Sequence, residues 1–337
     1  MRHCGIDVHS TTSDLCELSS TGKVLRRERF PSTQSGFRKH FEGVAKMRVV
    51  MESGGSTPWV YRLLCELGHE VTVVNPRRIR LIAESTLKSD RIDAEILARL
   101  SRFDLELLRP VYQRSEAGQA LRTKIQVRTS LVRARVALIN QVKGTLRSQG
   151  VRFSSTTSAT FVAKWGEAKI PRAMRELLDP LVGAIGELTD RIEVVQQELV
   201  ALSHSDELLE RLQEVPGVGP LVSVAFLAWV DRVERFTKSR DVGACLGLRP
   251  VVRASGGSKR SSHISREGDS EMRWLLVQAA HASLSTHRDS ALKRWGERLV
   301  EQIGKKKAVV ALARKLAVIL HRLWVTGESY QPFPAAA

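Results

Sequence analysis

Four acidic residues in the first hundred positions, Asp7, Glu52, Asp90 and Asp93, have the side-chain type and the local setting to meet at one point. Asp7 closes a short apolar run in Cys4-Gly5-Ile6-Asp7-Val8-His9-Ser10. Glu52 ends the strand-like stretch Arg48-Val49-Val50-Met51-Glu52 and is followed by Ser53-Gly54-Gly55. Asp90 and Asp93 stand three apart where a helical pattern opens, a spacing that puts both on one helix face. Converging carboxylates repel one another unless a hard cation sits between them, and an all-oxygen donor set suits Mg²⁺ or Mn²⁺. In a basic protein this chemistry is metal-assisted phosphoryl transfer on nucleic acid. The competing explanation for Asp90 and Asp93, first-turn acids favoured by the helix dipole, leaves Asp7 and Glu52 unaccounted for. Asp14, Glu95 and Asp104 lack such a context and are expected to be solvated. His9 and His263 flank the two chemically dense segments and are expected at the surface or behind the reacting groups.

The second dense segment spans residues 249–273. It reads as a loop with five serines (Ser255, Ser258, Ser261, Ser262, Ser265) among Arg249, Arg253, Lys259, Arg260, Arg266 and Arg273. Such cations could hold phosphates, Arg in a forked geometry. A serine hydroxyl in that field could act as a nucleophile, because both its alkoxide and the attacked phosphate would be stabilised. Chemistry alone does not choose among the serines, and a phosphate-binding loop is the simpler reading of the composition.

These residues need elements to hold them. Strands are expected at 3–8, 13–18, 23–29, 47–52 and 70–74, with helices at 34–43, 57–68, 76–83 and 90–100. Successive antiparallel strands followed by alternating helix and strand fit a ribonuclease-H-like α/β sheet, where open sheets place functional groups at strand ends. One long helix is expected over 115–149, with Arg128 and Arg135 interrupting its apolar seam. Leu181, Ile185, Leu188, Ile192, Val195, Leu199 and Leu202 set out a heptad run in a second, with Pro180 in its opening turns or at a kink. The two form coiled-coil arms, either closed as an intramolecular hairpin or acting to dimerise the chain, and residues 150–170 join them as a loop. A helical domain follows from 206. Within it Val215-Pro216-Gly217-Val218-Gly219 suggests a helix-hairpin-helix turn whose Gly217 and Gly219 let backbone amides approach a phosphate. Trp229, Trp274, Trp295 and Trp324 are assigned to the core. The expected organisation is thus a multidomain α/β plus α chain: 1–110 α/β, 111–205 helical arms, 206–337 helical with the serines.

Charge narrows the partner. The 337-residue chain carries a formal charge of +17. Residues 111–165 hold ten basic side chains and one acidic, 166–215 hold five and eleven, and 216–337 hold twenty and ten. Two basic blocks around an acidic one fit a polyanion, whose counterions are released on binding. The acidic helix is also suited to pair with the basic one. No apolar stretch reaches the roughly 20 residues needed to span a bilayer, and no secretory leader is evident. Cys4, Cys16, Cys65 and Cys245 show neither metal-ligand nor disulfide spacing, as in a reducing cytoplasm.

The order of these motifs resembles the DEDD-type transposases of bacterial insertion sequences, the insertion sequence one-ten family, which also holds the Piv-type invertases. The N-terminal resemblance lies in Gly5-Ile6-Asp7-Val8-His9, Met51-Glu52-Ser53, Asn75-Pro76-Arg77 and Lys88-Ser89-Asp90-Arg91-Ile92-Asp93-Ala94. The C-terminal one lies in Val215-Pro216-Gly217-Val218-Gly219, Gly247-Leu248-Arg249-Pro250, Ser255-Gly256 and Ile264-Ser265-Arg266-Glu267-Gly268-Asp269. The resemblance implies that Asp7, Glu52, Asp90 and Asp93 bind the metal of a RuvC-like domain and that Ser255 attacks DNA to form a phosphoserine link, within one subunit or across two. It further implies donor and target DNA as substrates, a structured bridge RNA as guide in some members, a homo-oligomer, and a place in the bacterial cytoplasm at the nucleoid. Ser262 stands where the family often has glycine, and Arg266 where it usually has lysine. The alternative within enzymes is a metal-dependent, structure-selective nuclease, of the Holliday-junction-resolvase kind, that uses water in place of the serine.

Overall fold

A computed structural model describes residues 1–75, 90–102, 105, 110–154, 156–255 and 258–333; the side chains of Asp90, Arg91 and residues 252–262 lie outside that description. The expected helix at 76–83, and Asp104, also fall outside it. The chain packs as two compact units, Met1–Arg114 and Ser115–Ala337.

The first unit is built on five strands: β1 (Arg2–Val8), β2 (Thr12–Leu18), β3 (Val24–Pro31), β4 (Met47–Glu52) and β5 (Glu70–Val74). Their order in the sheet is β3-β2-β1-β4-β5. β1, β2 and β3 pair antiparallel in sequence, while β4 runs parallel to β1 and β5 parallel to β4. Among the described residues three helices cover the sheet: α1 (Gln34–Phe41), α2 (Thr57–Glu66) and α3 (Asp90–Leu100). Alternation along the strands sends Cys4, Ile6, Val49 and Met51 to one face, where they bury Phe37 and Phe41 of α1 and Val60 and Leu64 of α2. The other face belongs to α3. Its Leu97 packs on Val50 and Val74, and its Ala94 and Ala98 on Cys16 and Leu18. Burying a Leu side chain of this kind is worth roughly 1.5–3 kcal/mol.

One glycine decides how close α3 comes. A Cβ placed on Gly5 would lie 2.0 Å from the Ala94 carbonyl oxygen and 2.3 Å from the Ala98 nitrogen. Only a residue without a side chain lets the helix backbone rest directly on β1.

In the second unit, α4 (Glu116–Ser148) and α6 (Arg172–His204) are 33 residues each, about 50 Å long at 1.5 Å per residue. They form an antiparallel hairpin within the chain. Lys124 Nζ bonds Glu198 at 2.7 Å, Arg128 Nε bonds Gln196 at 2.8 Å, and Arg135 Nη1 bonds Thr189 at 3.3 Å. The basic helix therefore does pair with the acidic one, and Ile185, Ile192 and Leu199 of the heptad run are buried inside the same chain. α6 runs through Pro180 as one continuous helix. The joining segment is not merely a loop: α5 (Phe161–Glu167) inserts buried Phe161 and Trp165 against Ile139, Val142, Leu146 and Ile185.

The remaining α-helices among the described residues are α7 (Glu207–Gln213), α8 (Pro220–Val230), α9 (Ser239–Cys245), α10 (Ser270–Ser285), α11 (Ala291–Ile303) and α12 (Lys305–Thr326). α8 is apolar nearly all round, with Val222, Val224, Phe226, Trp229 and Val230 buried, so it takes the centre and the others surround it. Trp295 and Trp324 pack against this core as expected, but Trp274 is 56% exposed on α10. The serine-rich stretch differs from expectation too. Rather than an irregular loop it forms an antiparallel hairpin, β6 (Pro250–Ser255) and β7 (Ser258–Ile264).

Candidate active site residues in the two units

Asp7 lies on β1 two residues beyond Gly5, and so on the same face, the one α3 covers. The parallel register that opposes Ile6 to Met51 puts Glu52, the last residue of β4, beside Asp7. Asp93 comes from α3, one turn into the helix that Asp90 opens. The three are close enough to act on one another electrostatically. Glu52 is held above its ordinary carboxylate value of 4.5, first by burial and then by the negative charges of Asp7 and Asp93. Asp90 begins the same helix one turn earlier, while its side chain lies outside the described residues.

The surrounding residues fix these carboxylates. Thr57 Oγ1 donates to the Glu52 carbonyl at 3.0 Å and accepts from Gly54 N at 2.7 Å, which sets the turn leaving β4. His9, also two residues beyond Asp7, places Nε2 3.1 Å from the Asp7 carboxylate. The same alternation that aims Asp7 explains it, so the i, i+2 spacing carries the signal for this contact. Asp14 corrects the expectation that it is solvated. It is 1% exposed and clasped by Arg29, with Nε 3.0 and 3.1 Å from its two oxygens. β2 opposes Asp14 to Asp7, and β3 opposes Arg29 to Asp14, so all three share the α3 face. A guanidinium already neutralises Asp14, whereas Glu52 shows uncompensated repulsion. Glu95 is likewise paired, with Arg27 and Arg99.

Among the described residues no three His, Cys, Asp or Glu side chains are drawn together as a finished metal cage. The donor types nonetheless fit a hard divalent ion: Asp7, Glu52 and Asp93 offer oxygen ligands only, and Glu52 is half-buried and raised by burial and by the charges of the other two.

In the second unit Ser255 ends β6 and pairs in register with Ser258, Ala254 with Lys259, and Arg253 with Arg260. The base of this hairpin is tightly locked. Arg266 N donates to the Gly247 carbonyl at 3.2 Å and Ser265 N to that of Arg249 at 3.0 Å. Gly247 and Gly268 both have positive φ, and a Cβ on either would meet backbone oxygen at 2.1 Å. Arg266 also sits at φ 57°, in the left-handed region, and is exposed. Arg273, expected at phosphate, donates through Nη1 to the Leu246 carbonyl at 2.9 Å and the Glu267 carbonyl at 3.3 Å. Partial burial, the largest influence, lowers its pKa. It fastens the start of α10 to the hairpin base. Gly217, at φ 86°, is needed for packing: a Cβ there would lie 2.3 Å from the Ala279 carbonyl of α10. Gly219, the residue before α8, has open space beside it.

Fold and sequence together make this a two-part protein: an α/β unit that brings acidic residues near one another and a helical unit carrying a basic, serine-bearing hairpin. Comparison with known proteins gives the class its family. Residues 4–149 match the transposase family DEDD_Tnp_IS110, and residues 209–295 match the Transposase IS116/IS110/IS902 family. A probable family 20 transposase of Pseudomonas aeruginosa is 32% identical over 303 residues, covering 88% of this chain and 89% of that protein. The transposase for insertion sequence element IS1111A of Coxiella burnetii is 29% identical across 97% of this chain and 90% of its own length. That for IS1328 of Yersinia enterocolitica is also 29% identical, covering 94% of each chain. The chain belongs to the IS110 family of insertion-sequence transposases, enzymes that process DNA. No helix among the described residues is long and apolar enough to cross a membrane.

Proposed function

We propose that this transposase is a recombinase that cuts and rejoins DNA through a covalent phosphoserine link at Ser255, with Asp7, Glu52, Asp90 and Asp93 holding Mg²⁺ or Mn²⁺. The observation that carries the reading is the convergence of Asp7, Glu52 and Asp93 on one face of the sheet, with Glu52 raised by its neighbours. The strand order β3-β2-β1-β4-β5, with only the first three strands antiparallel, supports a ribonuclease-H-like fold for that unit. When bound, the ion would supply positive charge to stabilise the pentavalent phosphoryl group.

The residues of the chain itself have distinct tasks. Asp7 and Glu52, fixed on adjacent strands, form a rigid pair of donors, and α3 adds Asp90 and Asp93 across the Gly5 contact. His9, on Asp7, orients that carboxylate. Ser255 Oγ attacks phosphorus, giving up its proton, as the bond to the departing sugar oxygen breaks; the reverse attack by a sugar hydroxyl reseals the strand and frees the serine. Register places Arg253 opposite Arg260, and like charges in that arrangement are costly until an anion joins them. Arg253, Lys259, Arg260 and Arg266 therefore take DNA phosphates, while the turn at Gly219 offers a further backbone contact. The two basic blocks support a guide RNA as second polyanion, and the protein works as a homo-oligomer.

The test uses a nicked or suicide DNA substrate carrying the element ends, with purified protein and Mg²⁺ or Mn²⁺. Asp7→Asn, Glu52→Gln and Asp93→Asn are expected to lower strand cleavage by at least about a hundredfold, within the range for removal of a charge-stabilising group. Ser255→Ala is expected to abolish cleavage while leaving DNA affinity within about threefold. Cleavage that survives Ser255→Ala but not Glu52→Gln would instead establish a water-using nuclease. RNA recovered with the protein and protected from nuclease would support the guide, and a purely monomeric sedimentation profile with DNA bound would overturn the assembly.

A further inference from the structure

The C-terminal helices line a half-open cavity of about 450 Å³ that none of the roles above uses. Clefts for small ligands run from roughly 300 to 1,000 Å³. One wall is α11, which contributes Trp295 and Arg298. The opposite wall is α12, whose Lys315, Ile319 and Arg322 follow i, i+4, i+7 spacing and so share one helix face. The chain after α12 turns back to close the end. It is held by the Ala291 amide on the Pro332 carbonyl at 2.8 Å, the Tyr330 amide on Glu214 at 2.7 Å, and Arg294 over the Phe333 ring at 5.0 Å.

The lining is of two kinds. Trp295 and Ile319 are half-buried against the core and form an aromatic and aliphatic floor. Arg298, Lys315 and Arg322 are exposed at its edges, faced by a single carboxylate, Glu328. α12 carries six Lys and Arg residues and no Asp or Glu. A flat apolar surface ringed by cations matches a ligand with a π-face and an attached anion. We infer that this cavity captures one unpaired nucleotide of a DNA strand, its base stacked on Trp295 and its phosphates at Arg298, Lys315 and Arg322. Base–aromatic stacking beside a basic track is how sequence-tolerant single-strand sites are built. The choice of DNA rests on the recombinase reading, since strand exchange parts duplex DNA and leaves bases unpaired.

The experiment uses the full-length protein and a single-stranded deoxythymidine 12-mer with one 5-iodouracil, photocrosslinked and digested with trypsin. The expected crosslink is on Trp295, in the four-residue peptide Trp295–Arg298 that trypsin releases between Arg294 and Arg298. Lys315→Gln with Arg322→Gln, both at exposed positions, is expected to weaken binding at least about fivefold. It should flatten the slope of log K against log salt by about 1.4, or roughly 0.7 for each single-strand phosphate that is no longer neutralised. Trp295→Phe keeps a stacking ring and should retain binding within about threefold. Crosslinks confined to other peptides, together with an unchanged salt slope in the double variant, would overturn the site. An oligouridine that competes as well as or better than the DNA would overturn the choice of DNA. Asp7→Asn separates this inference from the catalytic reading: it should keep the crosslink and lose cleavage. A wild-type protein that crosslinks at Trp295 yet never cleaves would sink the recombinase reading alone.

Discussion

Glu52 lies half-buried beside Asp7 and Asp93, and burial with their two charges lifts its carboxyl above the ordinary range. A group whose folded pKa exceeds its unfolded value adds stability that is fully present below about 4.5, the unfolded value, and is lost as pH rises through the folded value. Metal-free protein should therefore lose part of the stability of its first unit as pH rises above about 4.5. Glu52→Gln removes the repulsion, so it should raise Tm by roughly 2–4 °C at pH 7 in EDTA, as often happens when an active-site charge is removed. With Mg²⁺ present the order should reverse, the wild type gaining Tm and the variant not. Differential scanning calorimetry with and without metal reads both effects; a wild type that Mg²⁺ leaves unchanged would contradict the metal assignment. Gly5→Ala should cost at least about 1–3 kcal/mol in denaturant unfolding, because α3 backbone occupies the space its methyl needs. At this scale the placement of the carboxylates is partly legible in sequence. Asp7 stands near the end of one apolar strand and Glu52 ends another. Asp14 does not, because its neutralising partner Arg29 is reached only through the register of a strand pair.

The elements were legible where apolar periodicity is strong. All five strands of the first unit and the helix at 90–100 fall where alternation and helical spacing put them. The hairpin of β6 and β7 is illegible by that signal, since Ser, Lys, Arg and Gly fill it and no apolar alternation marks its faces. Trp274 misleads for a related reason: it stands among core residues of α10, yet its own position on the helix faces out. The heptad run over 181–202 is a true helical seam, but a seam in sequence does not say whose helix fills it. Here α4 of the same chain does, and Arg128 and Arg135 cross it to Gln196 and Thr189. Burial and the nearby Arg135 charge lower the pKa of Arg128. Ile185→Ala should accordingly destabilise the helical unit by about 2–5 kcal/mol in denaturant titration and leave the sedimentation coefficient unchanged. A clean fall to monomer at full stability would show that this side chain faces a second copy instead.

For the whole molecule, the two compact units divide the proposed site residues: the carboxylates fall in Met1–Arg114, and Ser255 with most of the surplus positive charge in Ser115–Ala337. Net charge of +17 makes affinity for DNA strongly salt-dependent. For duplex DNA each neutralised phosphate contributes about 0.9 to the slope, so Arg253→Gln with Arg260→Gln should lower it by roughly 1.8 in filter binding. An unchanged slope would remove the hairpin from the DNA interface. Whether a serine or a water molecule attacks the DNA is decided by mapping the covalent product. Protein trapped on a suicide substrate with Mn²⁺ is digested, and the peptide retaining a nucleotide is sequenced by mass spectrometry. Attack by the serine leaves a phosphodiester on Ser255, absent in Ser255→Ala and still present when Ser258 is replaced by alanine. Efficient cleavage with no protein-linked DNA, or a nucleotide attached at another residue, would refute that role for Ser255.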